Sequence, residues 1–314
     1  MPRRLYSCTP SRLNTWLDCR RRYRFTYLDR PQPSKGPAWA HNSVGASVHN
    51  ALAAWWREPY ERRTPLTAAI LLTNGWITEG FRDAEQSAEW LGRARDLVSG
   101  YVATLDPADD PVGVERTVAT RTKVVALSGR IDRLDRRGDE LVVVDYKTGR
   151  RSLTQDDARS SLALATYAIA ASTMMRTPCR SVELHHLPTG EIIEWRHTDE
   201  SLTRHLRRAE EIATEAATAD DRYRATMGPP TSTKRPSGTS ARRSSGAAGQ
   251  LAPGERESGS GERPSVGPAQ VPAELDAVFP ANPGPICSWC DFRRHCPEGQ
   301  AAGSDRNPWD GLAD

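Results

Sequence analysis

No stretch of the chain approaches the roughly 18 to 20 consecutive apolar residues that a membrane-spanning helix needs. The opening Met1-Pro-Arg-Arg-Leu-Tyr leads into polar residues rather than the apolar core of a signal peptide. Membrane-spanning and secreted classes are set aside on this reading, and a cytoplasmic location with no membrane partner is expected. Cysteine is scarce: six in 314 residues are too few for a disulfide scaffold. Three of the six crowd into ten residues near the C-terminus, which points to a metal or cluster site. Lysine is scarcer still, at four, so nearly all positive charge is arginine. Internal repeats are missing. So is any Gly-x-x-x-x-Gly-Lys-Ser/Thr run, which excludes a nucleotide-hydrolysing P-loop.

The net charge of +3 is informative only by location. Residues 228–270 hold six basic and three acidic residues, and the remainder is formally neutral. The first thirty residues carry eight arginines against Asp18 and Asp29, a local basic patch that is either a solvated face or a phosphate contact. Within 228–270, 22 of 43 residues are Gly, Pro or Ser, with Leu251 and Val266 the only large aliphatics. Such a segment buries too little apolar surface to offset its ordering entropy and reads as a disordered insertion. Because loop closure costs free energy only logarithmically, the flanking segments can still form one domain. The expected organisation is a domain over 1–227 including a helical N-terminal part, the insertion 228–270, a cysteine segment 271–300 packing on the domain, and a flexible tail 301–314.

Apolar periodicity predicts a helix carrying Leu13, Trp16, Leu17, Phe25 and Leu28, a second over 40–57, and amphipathic stretches over 66–81 and 84–105. The texture then changes. Segments 112–119, 124–134 and 141–147 are rich in Val and Ile, and Asp135-Arg-Arg-Gly-Asp139 forms a hairpin connection between the last two. A helix over 156–175, strands over 181–187 and 191–196, and a long helix over 200–223 complete an α/β layer architecture with a mixed central sheet.

The strongest local signal is Leu141-Val-Val-Val-Asp145-Tyr-Lys147-Thr-Gly149, preceded by Ser128-Gly-Arg-Ile-Asp132-Arg-Leu-Asp135. Alternate strand residues share a face, so Asp145 and Lys147 project together while Val144 and Tyr146 pack on the other side. Hairpin pairing brings Asp132 beside Asp145, and two carboxylates so placed repel unless a cation sits between them. Hard oxygen donors select Mg²⁺ or Mn²⁺. A neighbouring lysine can orient water and offset charge on a scissile phosphate.

Through Gly-Arg-Ile-Asp132 and Asp145-Tyr-Lys147-Thr-Gly, the sequence resembles the PD-(D/E)XK nuclease superfamily, in its RecB-like exonuclease branch. That resemblance implies a restriction-endonuclease-like core flanked by helices. It also makes His49 of Gly45-Ala-Ser-Val-His49 a metal ligand alongside Asp132, Asp145 and the backbone carbonyl of Tyr146. Asp132, Asp145 and Lys147 are the implied catalytic residues. The branch carries a Gln-Leu-x-x-Tyr-Ala helix, and here Ser161-Leu-Ala-Leu-Ala-Thr-Tyr167 keeps the tyrosine but has Ala163 at the glutamine position. Tyr167 is either a DNA-contacting catalytic group or a core residue.

Cys287-Ser-Trp-Cys290-Asp-Phe-Arg-Arg-His-Cys296-Pro brings three thiolates toward one centre, and a closed four-coordinate site needs a fourth. Cys19, in Leu13-Asn-Thr-Trp-Leu-Asp-Cys19-Arg-Arg-Arg-Tyr, is the candidate. The layout resembles AddB and CRISPR-adaptation nucleases, in which one upstream cysteine and three near the C-terminus hold a 4Fe-4S cluster. Four thiolates also suit Zn²⁺. Cys8 and Cys179 lack partners at ligand spacing, and His295 is no more than a neighbour of the centre.

The resemblance thus implies a Mg²⁺- or Mn²⁺-dependent deoxyribonuclease, an exonuclease or end-processing enzyme of DNA repair or recombination. Its substrate is single-stranded or free-ended DNA, contacted by Arg20, Arg21, Arg22 and Arg24, and any unwinding comes from a helicase partner. The competing reading, suggested by Ala163, is an iron-sulfur DNA-binding scaffold with a weakened site.

Overall fold

The structure, a computed structural model, describes residues 5–228 and 272–312. The expected insertion over 228–270 lies outside the described residues beyond Gly228. The sheet is built on one long strand, β3 (Val125–Arg137), whose alternating apolar positions allow it to pack on both faces. Strand β2 (Gly113–Arg121) runs antiparallel along one edge of β3. The other edge is shared end to end. There β1 (Tyr6–Cys8) pairs in parallel with Val125–Leu127, and β4 (Glu140–Lys147) pairs antiparallel with Arg133–Arg137. Residues 128–132 therefore have no strand partner on that edge, and the sheet opens at that point. Parallel β5 (Cys179–His186) and antiparallel β6 (Glu191–Arg196) complete a mixed sheet of six strands. The hairpin is tighter than expected: Arg137 pairs with Glu140, leaving Gly138-Asp139 as a two-residue turn with Gly138 at φ 59°. Strand β1 escaped the sequence reading because three residues show no alternation.

On one face lie α3 (Ala40–Arg57), α4 (Pro65–Asn74) and α5 (Ala84–Val102), where Trp55, Leu72 and Val98 bury Val142, Val144 and Tyr146. Thr64 and Asp83 accept the amides of Thr67 and Gln86 and so start α4 and α5. On the other face α6 (Gln155–Ser160) and α7 (Leu162–Met175) cover Leu141, Val143, Val182 and Leu184. The single helix expected over 156–175 is thus two, because Ser161 turns extended and caps α7 through the Leu164 amide. Both faces of β4 are packed, so the chemical face expected for it is confined to its last residues.

The N-terminal helix is also broken, into α1 (Pro10–Asp18) and α2 (Arg20–Tyr27). The break is Cys19, in extended backbone, whose sulfur receives the Arg22 amide at 3.5 Å. The long α8 (Asp199–Met227) and short α9 (Ala273–Val278) pack on these helices through Tyr23, Ile212, Tyr223 and Phe279. Beneath them Asp220, fully buried, pairs with Arg12 at 2.9 Å and accepts from Tyr23 at 3.0 Å. After α10 (Pro297–Ala302), the described part of the expected flexible tail is packed, since the Ala40 amide donates to the Pro308 carbonyl at 3.0 Å.

Candidate active site and cysteine centre

The opening in the sheet is filled by side chains. Continuing the β3–β4 register by one step sets Asp132 opposite Asp145. The Tyr146 amide, instead of meeting a backbone carbonyl, donates to Asp132 Oδ2 at 2.9 Å. Alternation breaks here: Ile131 and Leu134 belong to the core under α7, while Arg133 lies over the Trp56 ring on the other face. From α3, His49 brings Nδ1 to 3.4 Å from the same Asp132 oxygen. The helix can approach because Gly45, one turn earlier, has no Cβ; one built there would lie 3.2 Å from Thr148 Oγ1.

A residue not read from the sequence joins them. Glu115, on β2, is held at φ 50°, and the donor atoms of His49, Glu115 and Asp132 all lie within 4.8 Å of one another. That left-handed backbone, strained for a non-glycine residue, turns the carboxylate inward. It leaves no trace in strand periodicity, which is why the sequence does not reveal it. Exposed Arg130 is 2.6 Å from Glu115.

Asp145 stands outside this group. Its Oδ2 is 2.6 Å from Lys147 Nζ, yet no donor is aligned on that buried oxygen. Burial raises the Asp145 carboxyl above its ordinary value, Lys147 opposes the rise, and the neighbouring Asp132 charge adds to it. Burial pulls His49 down, but the hydrogen bond and charge of Asp132, with the charges of Asp145 and Glu115, leave it raised. The histidine and carboxylates thus share excess negative charge in one place, the condition that a divalent cation relieves. An unaligned buried carboxylate oxygen and mixed imidazole and carboxylate donors fit such a cation. Thr148 and Gly149, the next residues along, line a cleft of about 750 Å³ with His49 and Glu115.

Tyr167 lies close by, with its hydroxyl raised first by burial and then by the charges of Asp145 and Asp132. Its ring packs over Gly129. Ala163 is half-buried in the first turn of α7. Tyr146 has its ring in the core, where its hydroxyl accepts from Trp56.

Cys19, Cys287, Cys290 and Cys296 line a second cavity together with Phe25 and Phe292. All four are free thiols. Burial raises the Cys290 and Cys296 thiols, while Arg22 draws the first down and Arg21 the second. The Gly299 amide points at Cys296 Sγ, 3.4 Å away, and a Cβ on Gly299 would sit 3.4 Å from that sulfur and 3.8 Å from Cys287 Sγ. A set of four thiols with backbone N–H aimed at sulfur, beside arginine, fits a thiolate-ligated centre. Cys8 and Cys179 are buried in separate cores, with thiols pushed up to about 12 by burial. His295 turns away and contacts Ser34.

The arginines divide. Arg21 is buried, donating to the Phe279 carbonyl at 3.0 Å and lying 3.3 Å from Asp276. Arg24 is buried too, 2.9 Å from Asp276 and 3.4 Å from Asp29. Both hold α2 to α9, and both side chains expected to contact DNA have partners inside the protein. Arg20, over the Trp16 ring and 3.0 Å from Glu215, is exposed, and Arg22, 3.8 Å from Asp18, is half-buried.

A sequence profile of the PD-(D/E)XK nuclease superfamily matches residues 7–252, well over half of the chain. The chain belongs to the PD-(D/E)XK nuclease superfamily. Among curated proteins none matches it. As a PD-(D/E)XK nuclease it has a mixed sheet with helices on both faces, in keeping with a restriction-endonuclease-like fold. Membership makes DNA the substrate implied, and nucleases of this superfamily generally use divalent metals. Among the described residues no helix is long and apolar enough to cross a membrane.

Proposed function

We propose that the protein is a RecB-like DNA exonuclease or end-processing nuclease of repair or recombination, dependent on Mg²⁺ or Mn²⁺. The observation that carries this reading is the convergence of His49, Glu115 and Asp132 within 4.8 Å, beside Asp145 and Lys147 at the end of β4. His49, Asp132, Asp145 and the Tyr146 carbonyl are the proposed ligands, with Glu115 added. A divalent cation held there supplies Lewis acidity toward the phosphoryl oxygen and acidifies water.

The side chains do the rest. In hydrolysis a water oxygen bonds to phosphorus, one ester P–O bond breaks, and the departing oxygen takes up a proton. Lys147, paired with Asp145 and partly exposed, is placed to orient that water and to balance charge on the non-bridging oxygens. Asp132, fixed by the Tyr146 amide, holds His49 in one orientation through Nδ1. Tyr167 packs its ring over Gly129 of β3, and the charges of Asp145 and Asp132 act on its hydroxyl.

We further propose a 4Fe-4S cluster on Cys19, Cys287, Cys290 and Cys296. Held by these four thiolates, such a cluster would serve as a structural link, with Cys19 at the break between α1 and α2 joined to the three cysteines of the C-terminal segment. The arrangement of four free thiols around one cavity supports it.

The deciding experiment is an assay of anaerobically purified protein on end-labelled single- and double-stranded DNA with Mn²⁺, Mg²⁺ or chelator. Cation-dependent release of short products from ends is expected. Tight DNA binding without cleavage under every condition would favour the scaffold reading over the enzyme.

A further inference from the structure

We infer that Trp289 is a base-stacking wall of the nuclease cleft and biases it toward unpaired nucleotides. The inference rests on the nuclease reading and adds to it a specificity-determining residue outside the carboxylate motifs. Trp289 lies between Cys287 and Cys290, yet it lines the same cleft of about 750 Å³ as His49 and Glu115. Trp90 and the exposed Arg130 line that cleft too, so aromatic and cationic groups stand beside the proposed metal ligands.

Trp289 is held firmly but not covered. Trp39 meets it at 5.1 Å and 61° between ring planes, and His41 meets it at 5.5 Å and 87°. Trp39 is itself anchored by Nε1 to Asp291 Oδ1 at 3.2 Å, just past Cys290. The guanidinium of exposed Arg306 lies over one face of the Trp289 ring, 4.5 Å from its centroid, which leaves the other face for a base. The indole nonetheless remains half-exposed. An aromatic of fixed orientation with a guanidinium over one face is a pairing that suits unpaired bases and their phosphates.

The preference follows from geometry. In a duplex, base faces are occupied by neighbouring bases, whereas a single strand offers them at little cost. The same loop carries two cysteines of the centre, so whatever fixes those cysteines also fixes this wall.

The test uses the full chain carrying Lys147→Ala, so that DNA is bound without being cut, and a 2-aminopurine-labelled oligonucleotide in single-stranded and duplex form. Binding of the single strand is expected to quench 2-aminopurine. Adding Trp289→Ala should weaken single-strand affinity roughly 5- to 150-fold, the range for loss of one base–aromatic stack, leave duplex affinity unchanged, and abolish the quench. Trp289→Phe should retain most of both. Should Trp289→Ala lose its fold or bound iron, Trp289→Leu keeps the apolar bulk without the π face and must show the same selective loss. Equal losses for both DNA forms, or none, would overturn the inference, as would a parent that never quenches the probe. A parent that stacks the probe through Trp289 yet never cleaves DNA with Mn²⁺ would overturn the nuclease reading alone.

Discussion

Tyr167 lays its ring over the backbone of Gly129, so that a Cβ at that glycine would run into the ring, with Cδ1 and Cζ at 3.2 Å. Two motifs that are separate in the sequence, the Gly-Arg-Ile-Asp strand and the tyrosine helix, thus meet face to face. The glycine is required by this contact and not by its φ. Gly129→Ala should overpack the site and lower stability by about 1 to 3 kcal/mol. Urea unfolding checks this, and Gly129→Ala with Tyr167→Ala should lose less than the two singles together. Strict additivity would mean that the ring moves aside freely.

Asp145 and Lys147 should separate function from stability in opposite senses. Asp145→Asn removes a like charge beside Asp132 from a half-buried position, so the metal-free protein should be at least as stable as the parent. Lys147→Ala leaves that carboxylate without its cation 2.6 Å away and should be the less stable variant. Both should lose cleavage by a factor of about 100 or more. Paired melting curves and turnover measurements decide the matter, and full activity in either variant would remove it from the site.

The pH dependence follows from two raised groups. His49 and Asp145 both hold protons to higher pH in the metal-free protein than they would unfolded. Their protonated forms are thus favoured by folding, and metal-free stability should fall as pH rises through the raised His49 value. Metal binding runs the other way, because a cation needs both groups deprotonated. Mn²⁺ affinity should therefore rise with pH across neutrality with release of protons, measurable by titration calorimetry in buffers of different ionisation enthalpy. His49→Gln should flatten the part of the profile above the ordinary histidine value of about 6.5, where the raised imidazole gives up its proton.

Much of this was legible because it is local. The Val-rich run before Asp145, the turn at Gly138, and the 40–57 helix that carries His49 follow from periodicity and turn chemistry. Glu115 was not, since its role depends on a left-handed backbone inside a strand. Nor was the fate of the arginines: Arg21 and Arg24 look the same in sequence as Arg20, and only the packing of α9 shows which are buried. The break at Cys19 was hidden because apolar residues recur in helical register on both sides of it.

The four cysteines should behave as a unit. Cys19→Ser, Cys287→Ser, Cys290→Ser or Cys296→Ser should each remove most bound iron and labile sulfide and lower the melting temperature, because each lines the same cavity. Cys8→Ala and Cys179→Ala should keep the iron, since those thiols sit in other cores. Iron and sulfide assays with visible absorption check both. Zinc in place of iron would keep the link between the chain segments and change the ion.

The arginines of α2 offer a test in which burial and charge predict different observables. Arg20 lies over the Trp16 ring and pairs with exposed Glu215, and half-buried Arg22 lies near exposed Asp18. Ion pairs of that kind contribute little to stability, so Arg20→Ala with Arg22→Ala should barely change the melting temperature. If the pair meets DNA, each lost phosphate contact on a single strand should lower the slope of log affinity against log salt by about 0.7. Arg24→Ala should do the reverse. Its side chain is buried between Asp29 and Asp276, and its loss takes a neighbouring cation from the buried Asp29 carboxylate. Stability should fall while the salt slope stays unchanged, and Asp276→Asn should reproduce part of that fall without touching any group that faces DNA. A lower slope for Arg24→Ala at unchanged stability would reverse the division and return the buried arginine to the DNA surface.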